Sequence, residues 1–150
     1  MRPDRGNFWR MACWNEAAAL GLMDLADALR ADERLPAEVR EFVIMRTAFR
    51  CGASLPVAHH SAAARSLAVP EWLIEAAIGR AQLPLDDGFG DVAAVVDSLV
   101  ADKQAEPEAF ERLQARLGPA LALDIVMLTG LYITVSLVMN ACAITCEDKD

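Results

Sequence analysis

Apolar positions recur every three or four residues along most of this chain, the spacing that gives a helix one buried face. No window alternates apolar and polar residues with β-branched enrichment, so no sheet is expected. The first helix is predicted over residues 7–30, with Asn7 as its N-cap and Gly21 as a weak point. Leu35-Pro36 opens the second, and Gly52 closes it as a glycine just past the last turn. Ser54 is expected to cap the third, with Pro56 in its first turn, and Val69-Pro70 to start the fourth. Residues 80–90, with Pro84, Gly88 and Gly90, read as a loop. Asp91 is expected to cap a fifth helix reaching Lys103; Glu106-Pro107 opens a sixth that Gly118 ends; Pro119 opens the last. The tail from Glu147 is expected to be frayed.

This pattern makes residues 1–150 a single all-α domain, a compact array of about six or seven helices without internal repeat or linker. Hydrophobic residues make up 55% of the chain, which leans towards a protein that buries part of its surface in a homo-oligomer. Residues 125–146 contain no charged side chain, and that length could span a bilayer. Polar positions such as Tyr132, Ser136 and Asn140 interrupt it and no basic cluster flanks it, so the centre of a helical oligomer is the expectation.

The net charge of −8 argues against nucleic acid or an anionic membrane as partner. No basic segment precedes an apolar one at the N-terminus, so a cytoplasmic location is expected. Cys13, Cys51, Cys142 and Cys146 form no Cys-x-x-Cys and no zinc spacing; they read as small buried thiols.

The candidate chemistry lies on either side of the turn at residues 51–56. A helix rises ~1.5 Å per residue, which puts Glu41 ~15 Å and His60 ~10 Å from that turn, within one helical turn of the same level. Glu41 falls between Met45 and Ala48 on the helical wheel, and His60 among Val57, Ala63, Ala64 and Leu67. A carboxylate and an imidazole in apolar stripes are a minimal apparatus for proton transfer, in a setting where burial shifts a pKa. The competing reading is a core histidine bonded to Glu41 that locks two helices together. His59 points about 100° away and is a third acid/base candidate. Adjacent histidines on a helix diverge and no third close-spaced ligand is visible, so neither a metal nor another cofactor is expected.

Arg46 and Arg50 lie one turn apart, roughly opposite Glu41; they are candidates to hold a substrate carboxylate, with an ion pair as the alternative. Their direction makes intrahelical pairing with Glu41 unexpected. Trp9, Trp14 and Tyr132 are candidates to line an aromatic pocket. The Tyr132 hydroxyl and the Asn140 amide, inside so apolar a helix, need partners.

The run Leu35-Pro36-Ala37-Glu38-Val39-Arg40-Glu41-Phe42-Val43-Ile44-Met45-Arg46, then Arg50-Cys51-Gly52-Ala53 and Ala58-His59-His60, resembles the carboxymuconolactone decarboxylase-like, alkylhydroperoxidase-D-like family. Val126-Met127-Leu128-Thr129-Gly130-Leu131-Tyr132 and Met139-Asn140-Ala141 look like the C-terminal signature of its longer branch; the similarity covers residues 35–144. The resemblance implies an all-α fold, trimers or hexamers, and sites between helices near subunit boundaries. The peroxidase branch carries a glutamate, a Cys-x-x-Cys pair and a histidine, which fall here on Glu41, Ala53, Pro56 and His60. The redox pair is missing, so a thiol peroxidase is not expected. The decarboxylase branch carries a further glutamate four residues before the histidine, again Pro56 here, and many relatives of the longer branch have an acid at Ser54. The acid/base set is reduced to Glu41, His60 and His59. The resulting expectation is a cofactor-independent decarboxylase, isomerase or cyclase acting on a small or medium organic acid, lactone or enolisable carbonyl compound, with a natural-product tailoring role. A non-catalytic small-molecule-binding or scaffold descendant is the alternative.

Overall fold

The computed structural model describes residues 13–30, 34–84 and 88–143. Within them every regular element is helical: a 3-10 turn at Cys13–Asn15, then α1 (Glu16–Ala28), α2 (Ala37–Arg50), α3 (Ser54–Ser66), α4 (Glu71–Ala77), α5 (Phe89–Asp102), α6 (Pro107–Leu117) and α7 (Pro119–Ala141). The all-α expectation holds. The expected start of the first helix at Asn7, and the tail from Glu147, lie outside the described residues.

Helix α2 is the centre of the array. It packs against α3, α4, α5 and α7. Residues Phe42, Val43, Ile44 and Met45 are buried on successive sides of it, so it has no solvent face at mid-length. Leu73 and Ile74 of α4, Val92, Val95 and Val96 of α5, Leu113 of α6 and Ile125 of α7 complete the largest buried set. Burial at this level is worth roughly 1.5–3 kcal/mol per large aliphatic side chain, the main term holding the helices together.

The turn between α2 and α3 fixes the site. Gly52 has φ +67°, and Ala53 N–H donates to Ala48 O (2.9 Å) while Gly52 N–H donates to Phe49 O (3.0 Å). These two bonds form a Schellman cap, which requires a left-handed residue at the glycine position. Asn140 at the end of α7 donates from Nδ2 to the Cys51 carbonyl (2.8 Å), tying the same turn to α7 and supplying the partner Asn140 needs.

Two expected caps are corrected. Ser54 is the first residue of α3, with Ala53 in the extended conformation before it and no side-chain cap. Helix α5 begins two residues before Asp91, after Gly88 at φ +77°; Asp91 lies in the first turn and accepts from Arg112 (2.8 Å). Glu106 does cap α6, accepting from Ala109 N–H (2.6 Å) and Glu108 N–H (3.3 Å). Gly21 does not interrupt α1, and Asn15 supplies its cap through Ala18 N–H (3.2 Å).

Helix α7 is long and apolar enough to cross a membrane. One face packs into the core through Ala122, Ile125, Thr129, Tyr132, Ser136 and Met139. The opposite face leaves Leu123, Met127 and Leu137 exposed.

Candidate functional site

The turn brings Glu41 of α2 and His60 of α3 together, with Nδ1 of His60 2.8 Å from Oε2 of Glu41. Both are buried, at 4% and 8% exposure. Burial alone would raise the Glu41 pKa, but hydrogen bonds and charge from His60 and then Arg40 outweigh it and hold the carboxyl below its ordinary value. An ionised carboxylate only accepts hydrogen bonds, so Nδ1 carries a proton, and in the tautomer with no second ring proton Nε2 is left as an acceptor.

Tyr132 of α7 fills that position. Its hydroxyl lies 2.9 Å from Nε2 of His60, and the two rings meet edge to face with centroids 5.1 Å apart. In that tautomer the phenol donates to Nε2. The phenol oxygen in turn accepts from a guanidinium nitrogen of Arg30 at 3.4 Å. Burial raises the Tyr132 pKa despite the nearby positive charge of Arg30, so the phenol stays protonated well into the alkaline range.

At the other end, Arg40 Nε donates to Oε1 of Glu41 (3.2 Å). The intrahelical pairing that Arg46 and Arg50 cannot make is supplied by the adjacent residue. One hydrogen-bonded series thus runs Arg40, Glu41, His60, Tyr132, Arg30. Glu41, His60 and Tyr132 are buried, Arg40 is half-buried and Arg30 is exposed, so the series leads from the core to the surface.

His59 is exposed, with its ring edge to face with that of His60 at 5.2 Å. Partial burial, then the neighbouring imidazole of His60, hold its pKa below the ordinary histidine value; Arg30 acts the same way and Glu41 opposes. His59 therefore lies beside the middle of the series, held towards its neutral form.

Arg46 is turned to a different interface. It grips Asp97 of α5 with two parallel bonds, Nε to Oδ1 (2.8 Å) and NH2 to Oδ2 (2.7 Å), and donates a third to Ala76 O (3.1 Å). Arg50 Nε lies 3.4 Å from the same carboxylate. Both guanidiniums face Asp97, which is the ion-pair alternative expected for them. Trp14 is 86% exposed near the start of the described chain; Trp9 lies outside the described residues. Of the two described aromatic candidates, Tyr132 joins Glu41 and His60.

Cys51 is partly buried and Cys142 exposed, which corrects the expectation of buried thiols for Cys142. Burial pushes the Cys51 thiol up, against a contact with the Ser136 hydroxyl, so less of it is thiolate than of a free cysteine. Among the described residues no three His, Cys, Asp or Glu side chains are arranged to hold a metal ion.

Arg30 and Arg40 are the residues that motif reasoning passes over. Arg40 was visible as the neighbour of Glu41. Arg30 meets Tyr132 across 102 positions of chain, and only the unmet need of the Tyr132 hydroxyl pointed to a partner. Comparison with known proteins adds no counterpart: no family model, curated protein or solved structure matches the chain.

Proposed function

We propose that this chain is a divergent carboxymuconolactone decarboxylase-like protein and a cofactor-independent acid/base enzyme, of decarboxylase, isomerase or cyclase type. Its substrates are small or medium organic acids, lactones or enolisable carbonyl compounds, in a natural-product tailoring role. The single observation that carries this reading is the buried series Glu41–His60–Tyr132, with spacings of 2.8 and 2.9 Å, ending at an exposed arginine. A carboxylate that fixes the tautomer and stabilises an imidazolium, joined to a phenol, is an apparatus for moving a proton at neutral pH.

The test is deuteration of the methyl groups of pyruvate and acetone in heavy water, followed by NMR. Wild-type protein is expected to accelerate exchange at least about tenfold over buffer, and Glu41→Gln and His60→Gln to abolish the acceleration. If neither compound is deuterated and neither changes the His60 ring signals, His60 is a sealed structural histidine.

That second reading has its own supporting observation. Both oxygens of Glu41 and both ring nitrogens of His60 have partners inside the fold, as a purely structural lock requires. The exposed end at Arg30 favours the enzyme.

We also propose that the chain assembles as a homo-oligomer through α7. Its exposed positions Leu123, Met127, Gly130, Thr134 and Leu137 alternate spacings of four and three, the seam of a helix packed on a copy of itself.

A further inference from the structure

We infer that Tyr132, and not His60, is the group that exchanges a proton with the substrate, and that Arg30 beside it binds a carboxylate, so the substrates are enolisable carboxylic acids. This rests on the acid/base reading above and names its substrate-facing residue and substrate class.

Three observations carry it. First, both nitrogens of His60 are engaged, at 2.8 and 2.9 Å, and Tyr132 itself occupies Nε2. A ligand could reach Nε2 only by displacing the Tyr132 hydroxyl. Second, the Tyr132 oxygen is the last atom of the series before the exposed Arg30, 3.4 Å away. Third, the charges at this site run against those of the whole chain. The protein carries 14 basic and 22 acidic residues, yet the hydrogen-bonded series holds Arg30 and Arg40 against Glu41 alone. Arg40 is committed to Glu41, which leaves Arg30 as the cation facing outwards. A guanidinium presents a planar fork that matches a carboxylate, and next to a proton-transfer group it stabilises the enolate formed.

The step balances as follows. The C–H bond next to the substrate carbonyl breaks, its electron pair becomes the enolate, and the proton passes to the Tyr132 oxygen. The phenol's own proton moves at the same time to Nε2 of His60, giving an imidazolium that faces the Glu41 carboxylate. Arg30 faces the enolate. Once the phenol has traded that proton for a deuteron of the solvent, reversal delivers the deuteron to the same carbon, which labels the substrate, or to a conjugated one, which isomerises it.

Three changes to the chain test this in the pyruvate and acetone assay, with circular dichroism to confirm folding. Tyr132→Phe is expected to lower the maximal exchange rate by about a hundredfold, the usual weight of a general acid/base. Arg30→Gln is expected to remove the preference for pyruvate over acetone, and Arg30→Lys to restore part of it. Because Tyr132 is the chain's one tyrosine, growth on fluorotyrosine labels this position alone. The more acidic phenol should then move the alkaline limb of the exchange-rate profile to lower pH, which a packing role would not do. Wild-type rates in Tyr132→Phe, or a pH profile unmoved by fluorotyrosine, would put His60 in direct contact with substrate and overturn the assignment of Tyr132. Unchanged pyruvate preference in Arg30→Gln would overturn the carboxylate site. In each case, continued loss of exchange in Glu41→Gln leaves the acid/base reading standing. Wild-type protein that deuterates neither compound sinks both.

Discussion

Glu41 and His60 are 19 positions apart, yet Oε2 and Nδ1 are separated by 2.8 Å, because one Schellman turn sets the level at which α2 and α3 face each other. The pair makes acid stability a direct readout of the site. Glu41 has a folded pKa below its ordinary value of 4.5. Its contribution is therefore fully present above the unfolded pKa and lost as pH falls through the folded one. Glu41→Gln should cost about 1–3 kcal/mol at neutral pH, since a charged hydrogen-bond partner is removed from buried groups. Thermal melts of both proteins should show this difference shrinking below about pH 4.5. A difference that stays constant into acid would mean Glu41 is not ionised in the folded protein.

Arg46 and Asp97 predict the opposite separation of stability from chemistry. Their fork clamps α2 to α5, with both side chains mostly buried. Asp97→Asn keeps the shape but loses the ionic half of two charge-assisted bonds, so it should cost about 1–3 kcal/mol in chemical denaturation. The NMR signals of the His60 ring should not move. If they do, the fork is coupled to the site.

How much of this was legible in the sequence follows from how far each signal reaches along the chain. The meeting of Glu41 and His60 was readable because two helices joined by a short turn behave as a ruler, and Gly52 marks the turn. The hydroxyl of Tyr132 announced a need without naming its partner. Arg30 was silent: its tie to Tyr132 spans 102 positions and depends on how α1 docks on α7, which no local periodicity encodes. The partner of Arg46 and Arg50 was silent for the same reason, because Asp97 lies on a helix whose orientation the sequence does not state. Ser54 and Asp91 have the right chemistry for caps, but the extended backbone falls at Ala53 and the left-handed one at Gly88, so backbone geometry overrode residue type.

Ala68 shows where the chain tolerates local cost. It ends α3 at φ +59°, in the left-handed region, where its N–H donates to Arg65 O and the following Val69 N–H to Ala64 O. An L-residue with a Cβ pays about 1–2 kcal/mol there, and glycine does not, although glycine loses more entropy on folding. Ala68→Gly should therefore stabilise by about 0.5–1 kcal/mol, raising Tm by about 2 °C. A melting temperature that falls would mean the methyl group is packed against something the cap geometry does not reveal.

Leu137 offers the clearest test of self-association. It is 62% exposed on α7, on the side away from Tyr132, and it falls in register with Met127 and Leu123. An exposed leucine in an isolated chain gains nothing from its position, so Leu137→Glu in a monomer should change stability by less than about 0.5 kcal/mol. In an oligomer the same carboxylate would be buried in an apolar seam, and several kcal/mol of desolvation per subunit would dissociate it. Sedimentation velocity is expected to show the wild type above monomer mass and Leu137→Glu at monomer mass, with helical content unchanged. A wild type that sediments as a monomer would remove the oligomer and leave the α7 stripe without a role. Two proteins that sediment alike above monomer mass would place the interface on another helix. If the seam is confirmed, His59 and Arg30 should be tested for contact with the neighbouring copy, since α7 carries Tyr132 on its inner face.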